Sequence, residues 1–424
     1  MDFRQFLERL DKNRELEIVK DKLSPELEMA RKINEVNKPV LFENVNDYKV
    51  SAGVCISRDV ISDYLGIKKE ELLSRISKAV KNPIPPKIIS QGLCREVEEE
   101  NVDLEKIPIL KHYKGDDGSY ITAGLVIAES PKYGRNACYH RLKRVGKNKF
   151  AARICDRDTM AYLKEAGGNM DVAISLGNTP SALIAAATSP AIDVDEFAIA
   201  GGIEGKPVEL VKCGNGIAVP ANCELVLEGR INGETAKEGK FVDMTGTYDV
   251  VREQPVIEIT RITHRKNPVY QALMPGQTEH RLLMGMPKEP TIFNAVNKVC
   301  KCINVNLTPG GCSWLHCVVQ IDKQDKDDGK KAVNAAFEGH KSLKMCTIVD
   351  KDIDLFDPED VEWAVATRFQ ADKDLVIMPN QKGSSLDPSS CCMEGTDRKA
   401  TAKMGIDATI PFDMAREDFE KVVE

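Results

Sequence analysis

Glu238 and Asp243 stand five residues apart in Ala-Lys-Glu-Gly-Lys-Phe-Val-Asp-Met-Thr-Gly-Thr-Tyr, residues 236–248, with Gly239 directly after the first acid and Gly246 soon after the second. Glycine beside an acid allows tight backbone and close approach of a ligand. Two acids in unlike surroundings can divide into a proton donor and an acceptor, although the same spacing equally describes two solvated acids. Arg141 is a cationic partner for them, and with Lys143 and Arg144 it reads alternatively as part of an exposed basic strand. Asn136 and Arg141 are also five apart, so an unbroken strand would send them to opposite faces. A bulge or loop is therefore needed if both are to meet one site. Glu196, in Asp193-Val-Asp-Glu-Phe197, is either an acidic-loop residue or a ligand for a hard cation. Carboxylate, amide oxygen and phosphate together suit Mg²⁺ or Mn²⁺.

Other motifs carry less. Residues 199–205 are glycine-rich but read as a turn between strands, and the dinucleotide fingerprint is absent. Cys300 and Cys302, Cys312 and Cys317, and Cys391 and Cys392 lack the paired spacing of zinc sites. His140 beside Arg141 is, as a lone strand histidine, most simply structural.

The elements that must position these residues fall into three stretches. The 424 residues are too many for one ordinary domain. Residues 1–102 read as an α/β unit: Asp2 caps a helix with Phe3, Phe6, Leu7 and Leu10 on one face, and Ser24-Pro25 starts another. Residues 103–287 are strand-rich with few helices, the signature of an antiparallel, barrel-like domain. Residues 288–424 return to α/β alternation, with a helix after Asp357-Pro358.

A net charge of −7 and 5% aromatics argue against a nucleic-acid surface. There are 13 cysteines without a repeating frame, no signal-peptide pattern and no apolar run of membrane-spanning length, so the expectation is a cytoplasmic protein with reduced thiols and no membrane partner.

Several stretches in order are similar to one family. They are Asn136 to Arg141 with Gly146-Lys-Asn148, Thr188-Ser-Pro190 leading to Glu196, Pro207 to Cys213, Glu224 to Gly229, Glu238 to Asp243 with Gly246 and Tyr248, Phe356 to Arg368, and Lys403 to Thr409. In this order the chain resembles the UbiD family of prenylated-FMN-dependent decarboxylases.

The resemblance implies an N-terminal α/β domain, a central flavin-reductase-like split β-barrel and a C-terminal α/β domain used in homodimers or higher homo-oligomers. It implies a catalytic trio of Arg141, Glu238 and Asp243. Arg141 would orient the substrate carboxylate, Glu238 would hold Arg141, and Asp243 would donate the proton that replaces CO₂. Prenylated FMN, made by a flavin prenyltransferase, would supply the electron sink that no side chain offers.

Asn136, Tyr139, His140, Arg157, Ser189 and Lys344 are the implied cofactor contacts. Asn136 and Glu196 are the implied ligands of Mn²⁺ or Mg²⁺, with K⁺ as a further ion. Relatives carry a histidine in His-Arg-Gly-Gly where this chain reads Cys155-Asp-Arg-Asp-Thr159. Either Asp156 replaces that ligand or Arg157 meets the phosphate directly. The chain resembles the compact archaeal-type branch, which implies decarboxylation of trans-anhydromevalonate 5-phosphate to isopentenyl phosphate. A polyprenyl or other aromatic hydroxybenzoate is the runner-up substrate, and a non-catalytic flavin-binding subunit is the alternative of another class.

Overall fold

The computed structural model describes residues 1–45, 48–392, 399–419 and 421–422 and divides into two compact units, Met1–Leu283 and Met284–Glu424.

In the first unit, Asp2 Oδ1 accepts the Gln5 N–H at 2.8 Å while Gln5 Oε1 accepts the Asp2 N–H at 2.9 Å. This closes the start of helix Phe3–Lys12 and leaves Phe3, Phe6, Leu7 and Leu10 buried. The helix expected from Pro25 starts later, at Glu28. The Leu27 N–H donates to the Lys111 carbonyl and the Lys111 N–H to the Pro25 carbonyl, so pairing with a distant segment outcompetes the local start signal.

Strands Glu17–Val19, Val40–Val45 and Tyr48–Ala52 form a sheet whose fourth member is Val269–Gln271, parallel to Tyr48–Ala52. Likewise Lys87–Ile89 pairs with Glu209–Lys212. The boundary drawn at residue 102 is therefore crossed by shared sheets, and the first hundred residues belong to the same compact unit as the central region.

The central sheet has nine strands and is antiparallel throughout. Its middle is built from two long strands, Leu225–Glu238 and Arg252–His264, which pair along most of their length. Glu238 is the last residue of the first of these. Among the described residues the pairings run from Tyr120–Ile121 at one edge to Gly134–Tyr139 at the other without closing into a barrel.

The glycine-rich stretch is not a turn. Residues 199–204 lie inside helix Glu196–Glu204, which Asp195 caps through the Phe197 N–H at 2.8 Å and Gly205 ends in a left-handed conformation. A Cβ on Gly202 would come within 3.0 Å of the Ala79 Cα, and one on Gly201 within 2.5 Å of the Ile84 carbonyl oxygen. The glycines let this helix lie directly against the chain at Ala79 and Ile84, a requirement invisible to local pattern.

His112 is buried, and neither ring nitrogen has a hydrogen-bond partner. Burial holds its ring down to about 3. Because the folded value lies below the unfolded one, this neutral ring costs nothing above the unfolded value, and stability is lost as pH falls from about 6.5 toward 3. His112→Phe is therefore expected to lose about 2 kcal/mol less than the unsubstituted protein between pH 7.5 and 5. Urea midpoints at the two pH values would show this, and equal losses would refute it.

The second unit holds a six-stranded sheet. His316–Ile321, Met345–Asp350 and Lys399–Asp407 run parallel at its centre, flanked by antiparallel Cys302–Leu307 and Leu375–Lys382. Helix Asp328–Gly339 connects the first two parallel strands, as parallel pairing requires. Helix Pro358–Arg368 begins as its sequence predicts, with Asp357 accepting the Glu359 N–H at 2.9 Å. No helix among the described residues is long and apolar enough to cross a membrane.

Candidate active site

Strand Gly134–Tyr139 ends one residue before His140, and a new strand, Leu142–Arg144, begins after Arg141. The chain is thus interrupted between Asn136 and Arg141, yet the interruption does not bring both to one site. It sends Asn136 and Arg141 to different neighbours.

The planar fork of Arg141 meets Glu238 in two bonds, Nε to Oε1 at 2.7 Å and Nη2 to Oε2 at 2.9 Å. Glu238 is fully buried, so this is a charge-assisted pair in a low-dielectric setting. Nη1 reaches Asp243 Oδ2 at 3.3 Å, and Nη2 also donates to Asp249 Oδ2 at 2.9 Å. The guanidinium carbon lies 4.9 Å from the Phe241 ring centroid, and Phe241 in turn packs on Tyr120. Burial opposes the charge of Arg141, but Glu238, Asp249 and Asp243 outweigh it and hold its pKa above the ordinary arginine value.

Asp243 is carried by a small two-stranded hairpin, Phe241–Val242 against Tyr248–Asp249. Its backbone N–H donates to the Thr247 carbonyl, its carbonyl accepts the Gly246 N–H, and its Oδ1 accepts the Met244 N–H at 2.7 Å. One carboxylate oxygen is thus fixed by the turn while the other faces Arg141. Gly276 adopts φ 68°, and a Cβ there would lie 2.9 Å from the Asp243 carbonyl oxygen. The Gly276 N–H donates to His280 Nδ1 at 2.9 Å, and Arg281 Nε donates to the Met244 carbonyl at 2.9 Å. Burial holds the His280 ring below its ordinary value, although the Asp243 charge pulls the other way.

Asn136 belongs to a second cluster. Glu196, first residue of its helix, accepts Asn136 Nδ2 at 3.2 Å and the Ala137 N–H at 2.8 Å. Burial pushes its carboxyl up to about 8. The Thr159 hydroxyl donates to Asn136 Oδ1 at 3.1 Å, and His140 lies between Thr159 and the Arg153 carbonyl, at 2.9 and 3.0 Å. His140 is accordingly a spoken-for ring, held down to about 4 by burial. The Tyr139 hydroxyl donates to the Leu183 carbonyl at 3.2 Å. Arg157 and Ser189 are exposed, Arg157 at the N-cap position of helix Asp158–Glu165 without making a capping bond.

Asp156 does not join this cluster. Its side chain is 85% exposed and pairs with Lys164. It precedes the helix start, where the backbone turns its carboxylate outward; Asp195 and Asp158 are the acids whose charge reaches Glu196. Lys344, in the second unit, is paired with Asp387 at 2.9 Å.

Among the described residues no three His, Cys, Asp or Glu side chains converge as a metal centre; the side chain of Cys392 lies outside the described set. Asn136 and Glu196 fit part of a hard-cation site once the Asn136 amide, which here gives Nδ2 to Glu196 and Oδ1 to the Thr159 hydroxyl, turns its oxygen toward the buried carboxylate. Sequence reasoning missed Asp249, Thr159 and His280. Only Asp249 had a signal, as the residue after Tyr248 in a strand that a Gly246 turn folds back on Phe241–Val242.

The fold is that of the UbiD class, and the chain belongs to that family. Its 3-octaprenyl-4-hydroxybenzoate carboxy-lyase domains match in order, the N-terminal domain over residues 7–80, the Rift-related domain over 87–278 and the C-terminal domain over 281–408.

A Methanosarcina mazei protein named anhydromevalonate phosphate decarboxylase is 44% identical, the match covering 100% of this chain and 99% of the relative. The Methanothermobacter thermautotrophicus protein of the same name is 42% identical, with 99% of each covered. Among solved structures, the UbiD-class enzyme HmfF from Pelotomaculum thermopropionicum in complex with FMN is 35% identical with a TM-score of 0.95, covering 100% of this chain and 97% of that one. An evolved dimeric form of HmfF in complex with prFMN has a TM-score of 0.91 at 33% identity and the same coverage.

Proposed function

We propose that this chain removes CO₂ from trans-anhydromevalonate 5-phosphate to give isopentenyl phosphate, with prenylated FMN as cofactor. The observation that carries the reading is the buried Arg141 fork, gripped by Glu238 on one edge and facing Asp243 on the other. The two archaeal relatives bearing that decarboxylase name, each matched over nearly its whole length, support the substrate. The HmfF complexes with FMN and prFMN support the cofactor. The open antiparallel sheet supports a split-barrel platform for it.

When bound, prenylated FMN supplies the sink for the electron pair of the breaking carbon–carbon bond. Asn136 and Glu196 would hold a divalent ion on its phosphate, and Arg157 and Ser189 lie exposed to meet phosphate oxygens. Arg141 binds and orients the substrate carboxylate. Glu238 keeps the guanidinium in place at no conformational cost during reaction, because both partners are already buried and paired. Asp243 carries the proton that ends on the carbon CO₂ has left, and solvent at the exposed hairpin restores it.

A phosphorylated substrate needs a second cation. Lys240 is exposed, between Glu238 and the hairpin. His140, by contrast, is committed to Thr159 and the Arg153 carbonyl. Lys240→Met should raise KM for the phosphorylated acid about tenfold, a loss of about 1.4 kcal/mol, and leave an unphosphorylated acid unaffected. Equal effects on both acids would remove Lys240 from phosphate recognition.

The function itself is tested by co-expression with a flavin prenyltransferase and assay of CO₂ release. Release from anhydromevalonate phosphate is the expected result. Release only from 4-hydroxybenzoates would overturn the substrate, and release from neither would favour a flavin-binding subunit without catalysis.

A further inference from the structure

Arg141 has five N–H bonds to give. Nε and one hydrogen of Nη2 go to Glu238, the other of Nη2 goes to Asp249, and one of Nη1 goes to Asp243. A substrate carboxylate arriving at the outer edge, Nη1 with Nη2, therefore finds one free N–H where a two-bond grip needs both nitrogens. The charges agree with the geometry. Three carboxylates, Glu238, Asp243 and Asp249, face two guanidiniums, Arg141 and Arg252. Even with Asp243 protonated, Glu238 and Asp249 already match the two guanidinium charges, so a substrate carboxylate adds an unmatched negative charge unless one acid gives way.

Asp249 is built to give way. Its Oδ2 is shared between Arg141 Nη2 at 2.9 Å and Arg252 Nη1 at 2.7 Å, while Oδ1 accepts the Val250 N–H at 2.8 Å. Leaving Arg141 would cost it one partner of three. Its hairpin is a sheet of two strands only, and its neighbours Tyr248, Val250 and Val251 are exposed. Glu238 has no such freedom, being fully buried at the end of a long strand.

We propose that Asp249 is a resident stand-in for the substrate carboxylate, holding the outer Nη2 of Arg141 in the empty enzyme and withdrawing onto Arg252 when substrate takes its place. The role makes Asp249 and Arg252 positioning residues that set affinity for the acid, and it rests on the reading of Arg141 as the carboxylate clamp.

The test is calorimetric titration of 3-methylbut-2-enoate, an unsaturated acid without phosphate, into the full chain and its Asp249→Asn, Arg252→Gln, double and Arg141→Gln variants. Asp249→Asn should bind several-fold more tightly, because the competitor is gone. Arg252→Gln should bind several-fold more weakly, because Asp249 then has only Arg141 to hold. In the Asp249→Asn background, Arg252→Gln should have no further effect. KM of the cofactor-loaded enzyme should follow the same order, with kcat unmoved by Arg252→Gln. Additive effects of the two substitutions are those of charge acting at a distance and would overturn the stand-in, as would shifts in the same direction or none. An unsubstituted chain that binds the acid no better than Arg141→Gln would overturn the clamp reading itself, and the stand-in with it.

Discussion

Arg141→Gln is expected to abolish CO₂ release and to destabilise the first unit by about 3–5 kcal/mol. The first effect follows from losing the guanidinium that faces Asp243, whose fork can bind a carboxylate at two points. The second follows from Glu238, which has no exposure and is left a buried charge without its partner. Asp243 and Asp249 add less, since their side chains keep 24% and 19% of their exposure and can turn to water. Glu238→Gln alone should destabilise less, because Arg141 loses its two-bond partner but keeps Asp243 and Asp249. The double variant Arg141→Gln, Glu238→Gln removes both charges and should recover most of the stability of either single variant while remaining inactive. Urea denaturation of the four proteins checks this. If the double variant were as unstable as the sum of the singles, the buried pair would not be what holds this corner together.

Asp243→Asn is expected to lower kcat by about 10²–10⁴-fold, the range for a lost general acid, while KM and cofactor content stay near their starting values. Asparagine keeps the shape of aspartate and its Oδ1 can still accept the Met244 N–H, so the turn over residues 243–247 should persist. What it cannot do is deliver a proton to carbon. The Nη1 contact at 3.3 Å is the longest of the four that Arg141 makes, so its loss should be felt little in binding. Single-turnover assay of the loaded enzyme, with CO₂ and product measured separately, reads the step directly. Full turnover by Asp243→Asn would remove the proton-donor role from this residue.

Between them these two outcomes would separate holding from proton delivery, which the opening pair of acids left undivided. The division is set by environment. Glu238 ends a long central strand that pairs with Arg252–His264 and is fully buried, whereas Asp243 sits in the turn of a two-stranded hairpin and its side chain is 24% exposed.

Much of this protein was legible in its residues. The helix start at Asp2 and the cap at Asp357 are short-range matters of capping geometry, and both occur where those rules put them. The acid pair and its arginine could be named from their types and from the family resemblance.

The remainder depended on contacts between residues far apart in the chain. Arg141 and Glu238 are separated by 97 positions and meet through the folding of the central sheet, Arg141 just before strand Leu142–Arg144 and Glu238 at the end of Leu225–Glu238. The small hairpin Phe241–Val242 with Tyr248–Asp249 brings in Asp249, which looked like one acid among many. Asp156, which the sequence offered for the missing histidine with Arg157 as the alternative, is left in solvent. The glycines at 201 and 202 read as a turn until Ala79 and Ile84 were seen to lie against them. Local preference sets which residues can turn, cap or titrate. Which charge faces which is settled only when the sheet closes around them, because a buried ion pair is worth its desolvation only with its partner in place.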